Sequence, residues 1–367
     1  MRTTIPDPRE QPPAPLPRAP ALPGPATFVW ATGIEDTFIT DPWLATGRTL
    51  DEYELTHHYQ LWREDLDRMA DLGVSAARYG IPWYRIQPAP DRWDWSFPDQ
   101  VLPALRDHGL EILLDLVHYG TPAWLHRAFL SPAYADRVAE YAAAVAGRYR
   151  GLIRCFTPLN EPRITAWYTG RVGLWPPYAY GWTGFARVML SLCQGICQTA
   201  AALREVVPDA VLVHVDATDQ YVSLDPSLAD EVRLRQQVGF LALDLVSGRV
   251  DDRHPLWDWL CRRGFTEALA AWFRDHAAPL DVVGVNMYPM YSLKRLVRTR
   301  RGIRQQTPYA PPDVLKTLVA WYAGRYRRPV MITETAARGP IWRRARWMDE
   351  SIGVVRDLRA AGVPIIG

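Results

Sequence analysis

From about residue 27 onward, short apolar runs alternate with longer amphipathic runs, and few folds accept that order. Strand-like runs fall at 27–32, 75–79, 111–117, 153–157, 210–215, 280–285 and 330–333, and 363–366 begins one more. Helix-like runs separate them at 55–72, 100–108, 132–150, 184–206, 226–246, 255–277, 312–325 and 342–360. The alternation predicts an α/β chain with a parallel sheet and helices outside it. A (β/α)8 TIM barrel satisfies it, with residues 27–367 as one domain that lacks most of strand eight at the C-terminal end. On that reading the first and seventh strands keep unpaired edges. The rival is a doubly wound open sheet, which usually carries a glycine-rich phosphate turn after its first strand, and this chain has none there.

Residues 1–26 are rich in proline and have no apolar signal-like core, which predicts a disordered or extended N-terminal arm. A net charge of +2 with 22% charged residues gives no reason to expect a nucleic acid or an anionic membrane as partner. No apolar run reaches the length of a membrane span. The four cysteines form neither a CxxC pair nor a Cys/His cluster, so no zinc site is expected. They suit free thiols in a reducing, cytoplasmic setting. The 16 tryptophans and 17 tyrosines fit either a large packed core or a cleft with aromatic platforms, and composition does not choose between these.

Two of the strand-like runs end in a glutamate. The first runs from Ile153 into Phe156-Thr157-Pro158-Leu159-Asn160-Glu161-Pro162, where Pro162 stops the strand. The second is Pro329-Val330-Met331-Ile332-Thr333-Glu334. A carboxylate at the tip of a buried strand is costly without a task or a partner. Other polar residues fall at or just past strand ends: Glu35, Arg78, His118, Asp216 and Asn286. In a (β/α)8 barrel these ends share one face, where active sites lie. Two glutamates delivered to one face is the arrangement that glycoside hydrolysis uses.

These segments resemble family one glycoside hydrolases, the β-glucosidase family. Thr157-Pro158-Leu159-Asn160-Glu161-Pro162 is similar to that family's acid/base motif, and Ile332-Thr333-Glu334 to its nucleophile motif. Arg78-Tyr79-Gly80-Ile81-Pro82-Trp83-Tyr84-Arg85-Ile86 resembles its second-strand segment, and Val117-His118-Tyr119-Gly120-Thr121-Pro122 its third-strand histidine segment. Gly284-Val285-Asn286-Met287-Tyr288 resembles the sixth-strand segment and Phe28-Val29-Trp30 the opening of the first. The family's sugar-binding glutamine after the first strand is missing, and Glu35 is the nearest polar replacement.

The resemblance implies a retaining β-glycosidase that uses no metal or organic cofactor and acts on a small glycoside or oligosaccharide. It implies Glu161 as acid/base and Glu334 as nucleophile, with Arg78 keeping Glu334 ionised. It implies Tyr288 as a hydrogen-bond donor to Glu334, and Asn160, His118, Asn286 and Glu35 as substrate-binding groups. The alternatives are a carbohydrate-binding relative that has lost catalysis and a related barrel glycosidase acting on longer β-glycan chains. The oligomeric state is open.

Overall fold

The structure is a computed structural model that describes residues 28–40, 49–278 and 280–367. The proline-rich arm expected over 1–26 lies outside the described residues. Seven parallel strands form one sheet in sequence order: β1 (Ala31–Gly33), β2 (Ala76–Gly80), β3 (Glu111–Asp115), β4 (Cys155–Thr157), β5 (Val211–Ala217), β6 (Val282–Asn286) and β7 (Val330–Glu334). The main helices between and after them are α1 (His58–Asp71), α2 (Pro98–Asp107), α3 (Tyr134–Arg148), α4 (Gly181–Val206), α5 (Ala229–Val246), α6 (Pro312–Tyr326) and α7 (Ile341–Ala360).

The strands are apolar on both faces, as a barrel wall requires. One set of side chains fills the inside of the barrel: Val29, Ala76, Leu113, Cys155, Val213, Val215, Val282, Met331 and Ile366 pack as one cluster. The alternate set, including Ala77, Ile112, Leu114, Phe156, Val283 and Val285, meets the helices outside. On the helix side, Trp62, Leu66 and Met69 of α1 recur at four- and three-residue spacing and are buried.

The edges of β1 and β7 are not left open. Residues 363–367 form no full strand, yet Ile366 N–H donates to Val330 O at 2.9 Å and Ile332 N–H donates to Gly367 O at 3.0 Å. On the other side Val29 N–H donates to Ile366 O at 2.8 Å. This short segment therefore bridges β7 to the residues just before β1, and Ile366 joins the interior cluster beside Val29. The molecule is a (β/α)8-type barrel in which this segment fills the eighth position.

Other differences from expectation are local. The first strand lies at Ala31–Gly33, later than 27–32. Strand β5 runs on to Ala217, so Asp216 lies inside it. The stretch after β6 carries an antiparallel hairpin, Leu293–Thr299 with Gly302–Gln306, that pairs with Gln220–Val222. Its run of arginines hides the alternation that marks a strand.

Candidate active site

The loop after β4 is held by both neighbouring strands. Asn160 N–H donates to Val117 O at 2.9 Å, just past β3, and Glu161 N–H donates to Val215 O of β5 at 3.0 Å. Glu161 takes a left-handed backbone, φ 43°, immediately before the short helix Pro162–Ala166. A non-glycine residue in that conformation is held there by its surroundings, and such positions concentrate at functional sites. The result aims a carboxyl that is only 5% exposed into the strand-end face. Glu334 reaches the same face from β7, where the register slips between Ile332 and Glu334 and sets Glu334 opposite Asn286.

Each glutamate has its own partners. Asn286 Nδ2 donates to Glu161 Oε1 at 2.8 Å, and Tyr119 O–H donates to Oε2. Tyr288 O–H donates to Glu334 Oε2 at 2.6 Å, and Arg78 Nη1 donates to its other oxygen. Thr333 Oγ1 donates to Asn286 Oδ1 at 2.7 Å, so the residue beside one glutamate braces the partner of the other.

The two carboxyls are thereby made unequal. Burial first, and then the negative charge of Glu334, push the Glu161 carboxyl up to about 7, against the hydrogen bonds from Tyr119 and Asn286. Glu334 instead faces a guanidinium. Burial opposes the charge on Arg78, but Asp115, Glu334 and Asp36 together hold it well above its ordinary value. An acid that stays protonated near neutral pH beside a carboxylate held by a cation is a matched acid and nucleophile.

His118 sits beside this pair, with Nδ1 2.8 Å from Asp36 Oδ1 and 2.9 Å from Asp115 Oδ2. Its Nε2 lies 2.9 Å from Asn160 Nδ2. Asn160 Oδ1 accepts from Arg78 at 2.7 Å, so the amide turns its N–H2 to the ring and Nε2 accepts. That pattern belongs to the neutral ring with its proton on Nδ1. Burial favours the neutral form, whereas Asp36 and Asp115 raise the pKa of His118 well above the usual histidine range. A second proton, on Nε2, would face the Asn160 N–H2 and require that amide to leave Arg78. Both ring nitrogens are thus already engaged, and a sugar hydroxyl would have to displace Asn160 to reach His118.

Of the residues expected from sequence, Glu161, Glu334, Arg78, Asn160, His118, Asn286 and Tyr288 meet at this face in two hydrogen-bonded groups, Glu161 with Asn286, and Arg78 with Glu334, Tyr288, Asn160 and His118. Glu35 is exposed beside it and accepts from Thr37 Oγ1 at 2.8 Å. The carboxylate that turns inward from this segment is its neighbour Asp36. Among the described residues, Glu35, Asp36 and His118 place metal-ligand-type atoms within 4.8 Å of one another. The Nδ1 of that histidine is already committed to two carboxylates, so the group reads as a hydrogen-bonded acid–base cluster. Sequence reasoning missed Asp36, Asp115 and Tyr119. Asp115 gave the same signal as the glutamates, an acid closing the apolar run Ile112, Leu113 and Leu114.

Further aromatic and charged groups lie around these residues. Trp124 Nε1 donates to Gln87 O at 2.7 Å and its ring packs on Trp83, while Trp167 packs on Trp182. Trp175 does border the site, its ring 5.5 Å from that of Tyr119. Arg85 forms a rim ion pair with Asp51 and Glu54.

A parallel barrel with two separately partnered glutamate carboxyls on the C-terminal ends of its fourth and seventh strands defines the class of molecule. The sequence profile of glycosyl hydrolase family 1 matches residues 31–248, and the chain belongs to that family. Among curated relatives, a bifunctional β-D-glucosidase/β-D-fucosidase from Bifidobacterium breve is 27% identical over 270 residues, covering 66% of this chain and 54% of that protein. β-Glucosidase A from Thermotoga maritima is 25% identical over 272 residues, 72% of this chain and 60% of that protein. A β-galactosidase, BgaA, from a Thermus species matches over 153 residues at 26% identity, 30% of this chain and 24% of its own length. The chain thus spans between a quarter and three fifths of these relatives. In solved structures, the family 1 β-glucosidase of Thermotoga maritima superposes with a TM-score of 0.79 at 19% identity, covering 96% of this chain and 88% of that one. Its complex with glucoimidazole gives a TM-score of 0.80 at 20% identity over the same shares.

Proposed function

We propose that this protein is a retaining β-glycosidase that hydrolyses small β-linked glycosides through a covalent glycosyl-enzyme. The observation that carries the reading is the opposed environment of the two glutamates: Glu161 is kept protonated near neutral pH, and Glu334 is bound by Arg78 and Tyr288.

In the first step Glu161 donates its proton to the departing glycosidic oxygen while a Glu334 oxygen attacks the anomeric carbon. In the second step Glu161, now anionic, takes a proton from water, which attacks the same carbon and releases Glu334. Retention calls for carboxyls about 5–5.5 Å apart. Asn286 orients Glu161, and Tyr288 steadies the Glu334 charge. The remaining N–H of Asn160 is the group to meet the sugar 2-hydroxyl, a contact that strengthens in the oxocarbenium-like transition state. Glu35, exposed beside this group, is a further substrate-binding residue, and His118 acts on the sugar through Asn160. Family membership supports this chemistry, and the activities of the relatives named above, on glucosides, fucosides and galactosides, support a monosaccharide glycone.

We place residues 27–367 in one catalytic domain. Three buried free cysteines, Cys155, Cys193 and Cys197, support a reducing, cytoplasmic setting. Among the described residues no helix is long and apolar enough to cross a membrane.

The test is turnover of aryl β-glycosides followed by NMR of the first-formed sugar. The β-anomer is expected from wild type, with no turnover by Glu334→Ala. The α-anomer, or a fully active Glu334→Ala, would refute a retaining mechanism through Glu334.

A further inference from the structure

Four side chains close a ring behind the catalytic pair. Asp115 Oδ2 accepts from Arg78 Nη2 at 2.5 Å and lies 2.9 Å from His118 Nδ1. Arg78 Nη2 donates to Asn160 Oδ1 at 2.7 Å, and Asn160 Nδ2 meets His118 Nε2 at 2.9 Å. The ring joins the ends of β2, β3 and the loop after β4, and all four residues are buried. One atom, Asp115 Oδ2, thus fixes two things at once. It holds the guanidinium that binds Glu334, and it holds the proton of His118 on Nδ1, which leaves Nε2 to accept from Asn160.

Nothing about packing requires a carboxylate at this position. Asp115 closes its strand after the apolar residues Ile112, Leu113 and Leu114, and its second oxygen, Oδ1, is buried with no hydrogen-bond partner. Burying a carboxylate with an idle oxygen is costly, and the offset lies in the contacts made by the other oxygen. Asp36 adds a second carboxylate on His118 Nδ1. It fits because Gly80 has no side chain: a Cβ there would stand 1.9 Å from Asp36 Oδ2.

We propose that Asp115 is a positioning residue for the hydrolytic reaction, acting through Arg78 on Glu334 and through His118 on Asn160. The proposal rests on the glycosidase reading above. It has a signature that a purely structural role lacks. Arg78 divides its positive charge between two anions, Asp115 and Glu334. The charged or titratable groups around Asp115 are Arg78, His118 and, through His118, Asp36, with Tyr141 also within its field. Removing the Asp115 charge leaves Arg78 wholly to Glu334 and tightens that ion pair, so the acidic limb of the pH–rate profile moves to lower pH. His118 loses one of its two anions, so its titration moves to lower pH as well.

The experiment uses the near-isosteric Asp115→Asn together with Asp115→Ala. Wild-type turnover of an aryl β-glycoside is measured first, then kcat and KM against pH for each variant, then the His118 titration by NMR. For Asp115→Asn the expected result is an acidic limb and a His118 titration both displaced to lower pH, with kcat lower and KM little changed. For Asp115→Ala, which frees Arg78 and the imidazole to shift, the expected loss in kcat is about a hundredfold. A folded Asp115→Asn whose acidic limb and His118 titration match wild type would overturn the role of Asp115 and leave the hydrolase reading standing. Absence of wild-type turnover on every aryl glycoside would instead remove the hydrolase reading, and this proposal with it.

Discussion

Asn286 Nδ2 donates to Glu161 Oε1 at 2.8 Å, so the end of the sixth strand holds the carboxyl delivered by the fourth. The same amide accepts from Thr333, the residue before Glu334. Asn286 is therefore the direct mechanical link between the two catalytic strand ends. Its bond favours the ionised form of Glu161 and restrains a pKa that burial drives upward.

Asn286→Ala removes that restraint. The Glu161 carboxyl is expected to hold its proton to higher pH, so the basic limb of kcat/KM should move up by about one pH unit, the equivalent of roughly 1.4 kcal/mol. The maximal rate should fall, because the acid is no longer aimed. The measurement is the pH dependence of kcat/KM, and a basic limb that stays put would show that Asn286 does not act on Glu161.

Tyr119→Phe tests the other partner of the same carboxyl. The tyrosine O–H donates to Glu161 Oε2, a bond that also favours the anion. The basic limb should again move up. The second step should slow more than the first, because there Glu161 must work as a base. Pre-steady-state kinetics with an activated aryl glycoside would then show a larger burst than wild type. A smaller burst would contradict this assignment.

Arg78→Met removes the cation shared by Glu334 and Asp115. With the ion pair gone, the acidic limb should move to higher pH, opposite to the shift expected for Asp115→Asn. Leaving buried carboxylates without their partner should also destabilise the fold by about 3–5 kcal/mol, read as a lowered melting temperature. An unchanged acidic limb in a folded variant would rule out this role for Arg78.

Asp216 offers a stability test away from the proton-transfer step. Burial pushes its carboxyl from an ordinary 3.8 up to about 8, and Oδ1 accepts from Arg163 and Ala217 N–H while Oδ2 has no partner. A raised carboxyl pKa means that the folded state holds the proton longer than the unfolded chain. The stability linked to Asp216 is therefore full below about pH 4 and is lost progressively as pH rises towards 8. Asp216→Asn keeps the accepting oxygen and removes the titration. Its melting temperature should fall less than that of wild type between pH 5 and 8. Parallel curves for the two proteins would contradict the raised pKa.

Much of this site was legible in the sequence for one physical reason. An acid that ends an apolar strand before a proline or a loop announces a buried carboxylate, and Glu161 and Glu334 both do so. Asp115 gave the same sign but was masked, since Leu116 and Val117 prolong the apolar run to His118. The choice between Glu35 and Asp36 was not readable. It depends on a tertiary contact, Phe38 N–H to His118 O at 3.2 Å, and on the space above Gly80. The closure of the barrel was hidden for a similar reason, because a few backbone hydrogen bonds at Ile366 and Gly367 leave no periodic trace. The hairpin from Leu293 to Gln306 escaped because its exposed positions are arginines and it buries Leu296 with few other apolar groups.

The retaining mechanism proposed above requires that Glu334 form a covalent bond to the sugar while Glu161 supplies and removes the proton. Incubation with an activated 2-deoxy-2-fluoro β-glycoside slows the second step and traps that bond. Mass spectrometry of the digested protein should then find the fluorosugar on the peptide carrying Glu334, and nowhere in Glu334→Ala. A label on any other residue of an enzyme that remains competent for turnover would contradict the account.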